Sequence, residues 1–175
     1  LKGQGLLIIK NIQNIEPVVH GGGQEYGLRS GTVNLPMAVS MVKSIKLTMG
    51  RLDEASRKLN KMNQSVRTFL EEFRGVYINS PKDSAPQIIN VSFPGVKGEV
   101  LVNAFSKHGV MISTTSACSS KRGKLNEVLL AMGVPDARIE GSIRISMGVH
   151  TTEEDIQRFK EVFEEVYEEV KELLK

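Results

Sequence analysis

Residues 87–113 read QIINVSFPGVKGEVLVNAFSKHGVMIS, and the spacing of the apolar residues changes twice along this stretch. Apolar side chains first recur at every second position, which predicts a strand over 87–93 with a turn at Pro94-Gly95. Helical spacing then places Val100, Leu101, Ala104 and Phe105 on one face, up to His108-Gly109. Residues 110–113 predict a second strand. This strand–helix–strand order is typical of an α/β or α+β domain.

The alternation of elements continues toward the carboxyl end. Leu125 to Met132 predicts a helix stopped by Gly133, and Ser142 to Met147 predicts another strand. Thr151 and Glu154 have capping-box spacing at the start of a last helix. The predicted buried stripe of that helix is Ile156, Phe159, Phe163, Val166, Val170 and Leu173.

Toward the amino end, a long amphipathic helix is predicted from Arg51 to Gly75, and Pro36 opens a shorter helix before it. The apolar run Leu6–Ile9 predicts a buried strand. We expect the long helix to link two domains, residues 1–50 and 51–175. Because the chain opens at Leu1 almost directly on an apolar strand, we also expect it to be the carboxyl-terminal part of a longer protein.

Composition excludes several function classes. The 175 residues are 40% hydrophobic and carry a net charge of +3 from interleaved signs, with 5% aromatic residues and no Trp. Such a chain is typical of a globular protein and offers neither the basic stripe nor the stacking platform that nucleic-acid binding needs. Its apolar runs are too short to span a bilayer. With a single cysteine there is no internal disulfide, which favours a reducing, cytoplasmic location.

The single cysteine, Cys118, lies within Ser116-Ala117-Cys118-Ser119-Ser120, between a predicted strand and a predicted helix. Small polar neighbours predict a surface loop, and nearby Lys121, Arg122 and Lys124 favour the reactive thiolate. Cys118 is therefore a candidate nucleophile. The alternative is an inert cysteine that is buried as a small hydrophobic residue.

Arg144 stands in the middle of a strand that alternates cleanly. Ile143, Ile145 and Met147 share one face, whereas Arg144 shares the other with Ser142 and Ser146. The planar guanidinium group suits a carboxylate, so Arg144 is a candidate ligand of a substrate carboxylate. A structural salt bridge to an acidic side chain is the alternative.

Residues 20–32, HGGGQEYGLRSGT, hold five glycines. That content predicts an irregular loop, which could let a ligand approach the backbone or bind an anion through amides and the Thr32 hydroxyl. The phosphate-loop pattern with its lysine is absent. The isolated residues His20, His108 and His150 have no partners at metal-binding spacing, so no metal site is predicted.

In this order and spacing, the three motifs resemble the carboxyl-terminal part of the NifS/IscS-type cysteine desulfurases. These are class V pyridoxal-phosphate enzymes of the aspartate-aminotransferase fold (fold type I). The resemblance covers essentially the whole chain: residues 1–9 resemble the strand after the cofactor lysine, and residues 21–34 the glycine-rich loop. It implies that residues 1–50 end a large cofactor-binding domain and that residues 51–175 form a small α+β carboxyl-terminal domain carrying the cysteine loop.

The resemblance also implies an activity and a site. The parent enzyme would convert L-cysteine to L-alanine while Cys118 becomes a persulfide, with Arg144 binding the substrate carboxylate. In a homodimer, Thr32 would contact the cofactor phosphate of the neighbouring subunit. The sulfur would pass to an acceptor such as an iron-sulfur scaffold or a tRNA-thiolation protein.

One component of that site is missing from the sequence. In the family, the lysine that forms the Schiff base with pyridoxal 5′-phosphate precedes the position matching Leu1, and Lys2 comes too late to replace it. We therefore expect the 175 residues alone to be inactive. Two alternatives stay open: another class V enzyme, such as a selenocysteine lyase or an aminotransferase, or a non-catalytic fragment that relays sulfur on Cys118.

Overall fold

The computed structural model describes residues 3–11, 15–114 and 126–174. The chain forms two compact units, Leu1–Asp53 and Glu54–Lys175. The assignment of the first unit to a cofactor-binding domain stays a prediction.

The first unit contains one long helix, α1 (Leu35–Met49). The Asn34 side chain caps it by accepting a hydrogen bond from the Met37 N–H at 3.2 Å, and Pro36 occupies its first turn, as predicted. The predicted strand Leu6–Ile9 is wrong, since Leu6, Leu7 and Ile8 are 62%, 70% and 85% exposed and residues 4–9 have no regular structure. A strand needs a neighbour for its N–H and C=O groups, and no described strand of this chain pairs with this run.

The second unit carries the remaining helices and strands, the first of which begins two residues before it. In chain order they are α2 (Leu52–Leu70), β1 (Tyr77–Ile78), β2 (Ile88–Ser92), α3 (Gly98–Lys107), β3 (Ser113–Thr114), α4 (Glu127–Ala131), α5 (Asp136–Glu140), β4 (Ser142–Ser146) and α6 (Glu153–Val170).

The four strands form one antiparallel sheet in the order β1-β2-β4-β3. In the central pair, Ile89 lies opposite Ile145 and Val91 opposite Ile143. These four side chains are buried on one face of the sheet and belong to the hydrophobic core. The same core takes its other members from the apolar faces of α2, α3 and α6, from the turn after β2 and from Met147, which follows β4. The sheet face that carries Arg144 is thereby left polar.

The core contains a cluster of aromatic rings around Phe163 of α6. Its ring lies 4.9–6.0 Å, centroid to centroid, from the rings of Phe69, Phe73, Phe93, Phe105 and Phe159. The predicted stripe of α6 is confirmed at five positions, but Leu173 is 57% exposed because the α-helix ends at Val170 and a 3-10 turn follows.

Two predicted boundaries are wrong for identifiable reasons. Helix α2 ends at Leu70 rather than near Gly75, although Phe73 still packs edge-on against Phe69. Strand β3 starts at Ser113 rather than Val110, because the Val110 N–H donates to the Phe105 carbonyl at 3.0 Å and closes the end of α3.

The cap of α6 is shifted by one residue from the predicted pair Thr151 and Glu154. The Thr152 hydroxyl accepts from the Asp155 N–H at 3.1 Å, and the Asp155 carboxylate accepts from the Thr152 N–H at 2.8 Å. The Thr151 hydroxyl instead accepts from the Gly148 N–H at 2.9 Å. It therefore closes the turn before the helix.

Candidate active site

Arg144 lies in the centre of β4 with a strand on each side. Its paired residues are Asn90 of β2 and Ser113 of β3. Opposite residues of an antiparallel pair point to the same face, so these two are its cross-strand neighbours. The Arg144 residue is exposed, whereas Ile143 and Ile145 on either side are buried. The strand thus holds the guanidinium group on the polar face of the sheet.

No acidic residue neutralises Arg144 in the part of the chain that the structure describes. Its cross-strand neighbours are neutral, and the ion pairs found among residues 3–11, 15–114 and 126–174 do not include it. A guanidinium group that lacks a partner carboxylate is able to bind one from a ligand in a bidentate way. The geometry therefore favours the carboxylate-binding interpretation over the structural salt bridge.

Cys118 belongs to residues 115–125, which lie outside the described residues, so the predicted surface loop is not tested. Both flanks of this segment are described. On one side Thr114 ends β3, where it pairs with Ile143; on the other, the Asn126 side chain caps α4 by accepting from the backbone of Val128 and Leu129. The segment that holds the cysteine thus starts from the strand beside Arg144.

The glycine-rich segment lies in the first unit, and Thr32 there is exposed. Around it, Val19 bridges to Arg29, and the Gly31 N–H donates to the Gln24 side-chain oxygen at 3.0 Å. The segment is irregular, as predicted, apart from a 3-10 turn at Glu25–Gly27. An exposed hydroxyl on such a loop can contact a phosphate oxygen.

The structure does not give the positions of the three predicted site residues relative to one another. Thr32 and Arg144 belong to different units, and Cys118 lies outside the described residues. Among the described ranges there is no group of three His, Cys, Asp or Glu side chains able to hold a metal ion. In the same ranges no helix has the length and apolar character that a membrane crossing requires.

Comparison with known proteins supplies the family. The family model described as aminotransferase class-V matches residues 1–159. The chain belongs to the class-V aminotransferase family. Members of this family and the cysteine desulfurases within it depend on pyridoxal 5′-phosphate.

Individual relatives of this class-V chain are cysteine desulfurases. The chain is 37% identical over 176 residues to "Cysteine desulfurase IscS" of Clostridium botulinum, covering 98% of this chain and 44% of the relative. It is also 37% identical to the IscS of Dictyoglomus turgidum, covering 89% of this chain and 40% of the relative. The chain thus spans less than half the length of these relatives.

Solved structures agree on the fold. A "NIFS-like protein" matches with a TM-score of 0.71 and 35% identity, covering 88% of this chain and 39% of that one. A NifS-like protein from Rickettsia africae gives the same TM-score at 28% identity, covering 87% of this chain and 40% of that one. The predicted α/β fold of a class-V, fold type I enzyme is confirmed, and the chain represents part of it.

Sequence reasoning about this class-V chain missed the residues that surround Arg144. The sequence pattern predicts only that Asn90 is part of a strand, yet Asn90 lies directly opposite Arg144 and its side chain donates a hydrogen bond to β4. The signal was present, because the alternation over residues 87–93 places Asn90 on the polar face. What the sequence does not contain is the register that pairs residue 90 with residue 144.

Proposed function

We propose that the full-length protein containing this chain is a pyridoxal-phosphate-dependent cysteine desulfurase. It would convert L-cysteine to L-alanine and store the sulfur as a persulfide on Cys118. The observation that carries the proposal is Arg144, a strand-held guanidinium group without an acidic partner among the described residues, paired with the strand that leads into the cysteine segment. Similarity to desulfurases over 98% of this chain supports it.

Arg144 serves as the carboxylate ligand in this proposal. Every amino-acid substrate carries an α-carboxylate, and a planar guanidinium group fixes both of its oxygens and hence the orientation of the molecule. The exposed position at the centre of β4 leaves the charge accessible to a ligand. Its place in the strand restricts the side chain to one direction.

Cys118 serves as the nucleophile. It lies four positions after Thr114 of β3, so covalent geometry keeps the two Cα atoms within about 14 Å of each other. Its thiolate attacks the substrate sulfur, and an S–S bond forms as the substrate Cβ–S bond breaks. The electron pair of the broken bond stays on the carbon skeleton, which takes up a proton and leaves as alanine.

Among the residues of this chain that the structure describes, one is suited to contact the cofactor. The exposed Thr32 hydroxyl is suited to a phosphate oxygen, whereas the Gly31 N–H is already bonded to Gln24. When bound, pyridoxal 5′-phosphate supplies the electron sink for bond cleavage at the amino acid. In this proposal the Schiff-base lysine and the groups that hold the ring would belong to the part of the parent protein before Leu1, and Thr32 would serve the neighbouring subunit of a homodimer.

The persulfide would be handed to an outside acceptor, such as an iron-sulfur scaffold or a tRNA-thiolation protein. We place this reaction in the cytoplasm, because a thiol that acts as a nucleophile suits a reducing compartment and these 175 residues hold no second cysteine for a disulfide.

The test uses the full-length protein loaded with cofactor, with alanine and sulfide measured after addition of L-cysteine and a thiol reductant. We expect equal amounts of both products, loss of both in Cys118→Ser, and a raised KM in Arg144→Lys. Arg57→Lys, an exposed arginine of α2, is the matched control. Alanine formation that survives Cys118→Ser, turnover of selenocysteine alone, or transamination without sulfide would each overturn the proposal in favour of another class V activity.

A further inference from the structure

A layer of polar side chains covers the sheet face on which Arg144 lies. The Arg138 Nη2 of α5 donates to the Asn79 side-chain oxygen at 2.6 Å, and the Arg138 guanidinium group lies 4.7 Å from the centre of the Tyr77 ring. Asn79 in turn donates to the Asn90 side-chain oxygen at 2.6 Å. The layer therefore runs from α5 across β1 and β2 toward β4.

Asn90 links this layer to β4. Its side-chain Nδ2 donates to the Ile143 carbonyl at 3.0 Å, while its Oδ1 accepts from Asn79. The residue is only 6% exposed, and its own backbone N–H is bonded to the Ser80 hydroxyl at 2.8 Å. Because both ends of the amide are bonded, the Asn90 side chain has one fixed orientation.

The pairing places Asn90 at the closest cross-strand position to Arg144. The Phe93 N–H donates to the Gly141 carbonyl and the Met147 N–H to the Gln87 carbonyl, which marks these as hydrogen-bonded positions. Since such pairs alternate with open ones, Asn90 and Arg144 form an open pair, in which Cα atoms are about 4.5 Å apart and side chains are nearest.

The chemistry of Asn90 matters for the charge of Arg144. An Asp or Glu at this position would pair with the guanidinium group and compete with any ligand carboxylate. A neutral amide tied down by Asn79 and Ile143 occupies the space without neutralising the charge. It also fixes the backbone at Ile143, one residue before the arginine.

We infer that Asn90 is a positioning residue for Arg144, holding β4 and its guanidinium group ready for the carboxylate of an amino-acid substrate. This rests on the proposed role of Arg144. Two properties of Asn90 contribute. Its hydrogen bond to the Ile143 carbonyl fixes the backbone of β4. Because its amide is neutral, it does not compete with a ligand carboxylate for the Arg144 guanidinium group.

The test compares substitutions of Asn90 with one of its neighbour on the opposite face of the same strand. In the full-length enzyme, Asn90→Ala is expected to raise the KM for L-cysteine and the dissociation constant for the product L-alanine about fivefold, the value of one hydrogen bond, while kcat stays within about twofold. Asn90→Asp, of the same shape, is expected to raise both constants about tenfold or more, because it places a competing carboxylate beside Arg144. Val91→Ala is the control: it weakens the core but leaves the polar face intact.

The outcomes separate the two claims. If Asn90→Ala and Val91→Ala change the KM equally, or if Asn90→Asp binds alanine as tightly as the unmodified protein, Asn90 is merely structural and the inference fails. If the unmodified protein binds L-alanine through Arg144 but releases no sulfide from cysteine, the proposed function fails, and the binding data on Asn90 still decide its positioning role.

Discussion

Substituting Gly141 by Ala gives the most direct test of how β2 and β4 pack. Gly141 precedes β4, and its carbonyl accepts the Phe93 N–H at 3.0 Å. A Cβ atom at this position would collide with the Phe93 carbonyl oxygen and would lie 2.7 Å from the Val96 carbonyl oxygen. Both obstacles are backbone atoms, so no side-chain rotation relieves the contact.

The cost follows from the distances. Ordinary contacts of a Cβ atom begin near 3.4 Å, so the strands have to separate by about 1 Å at this end. Overpacking of this kind costs about 1–3 kcal/mol, and losing the Phe93–Gly141 hydrogen bond adds about 1 kcal/mol. We therefore expect Gly141→Ala to lower the free energy of unfolding by about 2–4 kcal/mol. For a chain of this size that corresponds to a melting temperature lower by about 10 °C.

The matched control is Gly148→Ala, at the other end of β4. No heavy atom lies within 4 Å of a Cβ built there, and Gly148 is not among the glycines with positive φ. The substitution should leave stability unchanged or raise it by about 0.5 kcal/mol through the unfolded chain. Urea unfolding followed by circular dichroism measures both variants. Equal midpoints for Gly141→Ala and Gly148→Ala would refute the packing described for the start of β4.

Three further outcomes are expected. The buried Arg67 donates three hydrogen bonds, to the Asn63 side chain and to the carbonyls of residues 80 and 81. Arg67→Met should therefore lower the free energy of unfolding, measured in urea, by about 3 kcal/mol. The control, Arg57→Met at an exposed arginine, should lower it by less than about 0.5 kcal/mol. Hydrogen bonds from the Thr152 backbone and hydroxyl lower the pKa of Asp155 below its ordinary 3.8. Because a carboxyl with a lowered folded pKa stabilises above its unfolded pKa, this contribution should be lost as the pH falls below about 4. Thr152→Ala keeps the backbone N–H and removes the hydroxyl, so it should flatten that part of a stability-versus-pH curve only in part. The 175-residue chain mixed with pyridoxal 5′-phosphate and cysteine should form no alanine. A small persulfide donor should still transfer sulfur to Cys118, as detected by mass spectrometry. Steady alanine production would show that a lysine of this chain replaces the one before Leu1.

The helices and strands with regular apolar spacing could be predicted from sequence, because in each of them the spacing of the apolar side chains shows which face is buried. The α6 stripe from Ile156 to Val170 and the alternation of β4 follow directly from which side chains face the core. Where two neighbouring residues can play the same local role, the predicted boundary is wrong by a residue or more. Thr151 and Thr152 both have a hydroxyl that could cap α6. In the folded turn the Thr151 hydroxyl accepts from the Gly148 N–H, so the Thr152 hydroxyl caps the helix.

The sequence alone determined the residue types of the candidate site: one cysteine between small polar residues, one arginine on the polar face of a strand, and a glycine-rich loop. Tertiary structure decided what surrounds them. Pairing across β2, β4 and β3 places the neutral Asn90 and Ser113 beside Arg144. Among the residues that the structure describes, no strand pairs with the run Leu6–Ile9, in which Leu6, Leu7 and Ile8 are exposed. The physical reason is that hydrophobic spacing reports which face of an element is buried, whereas register and partner strands depend on hydrogen bonds between residues far apart in the chain.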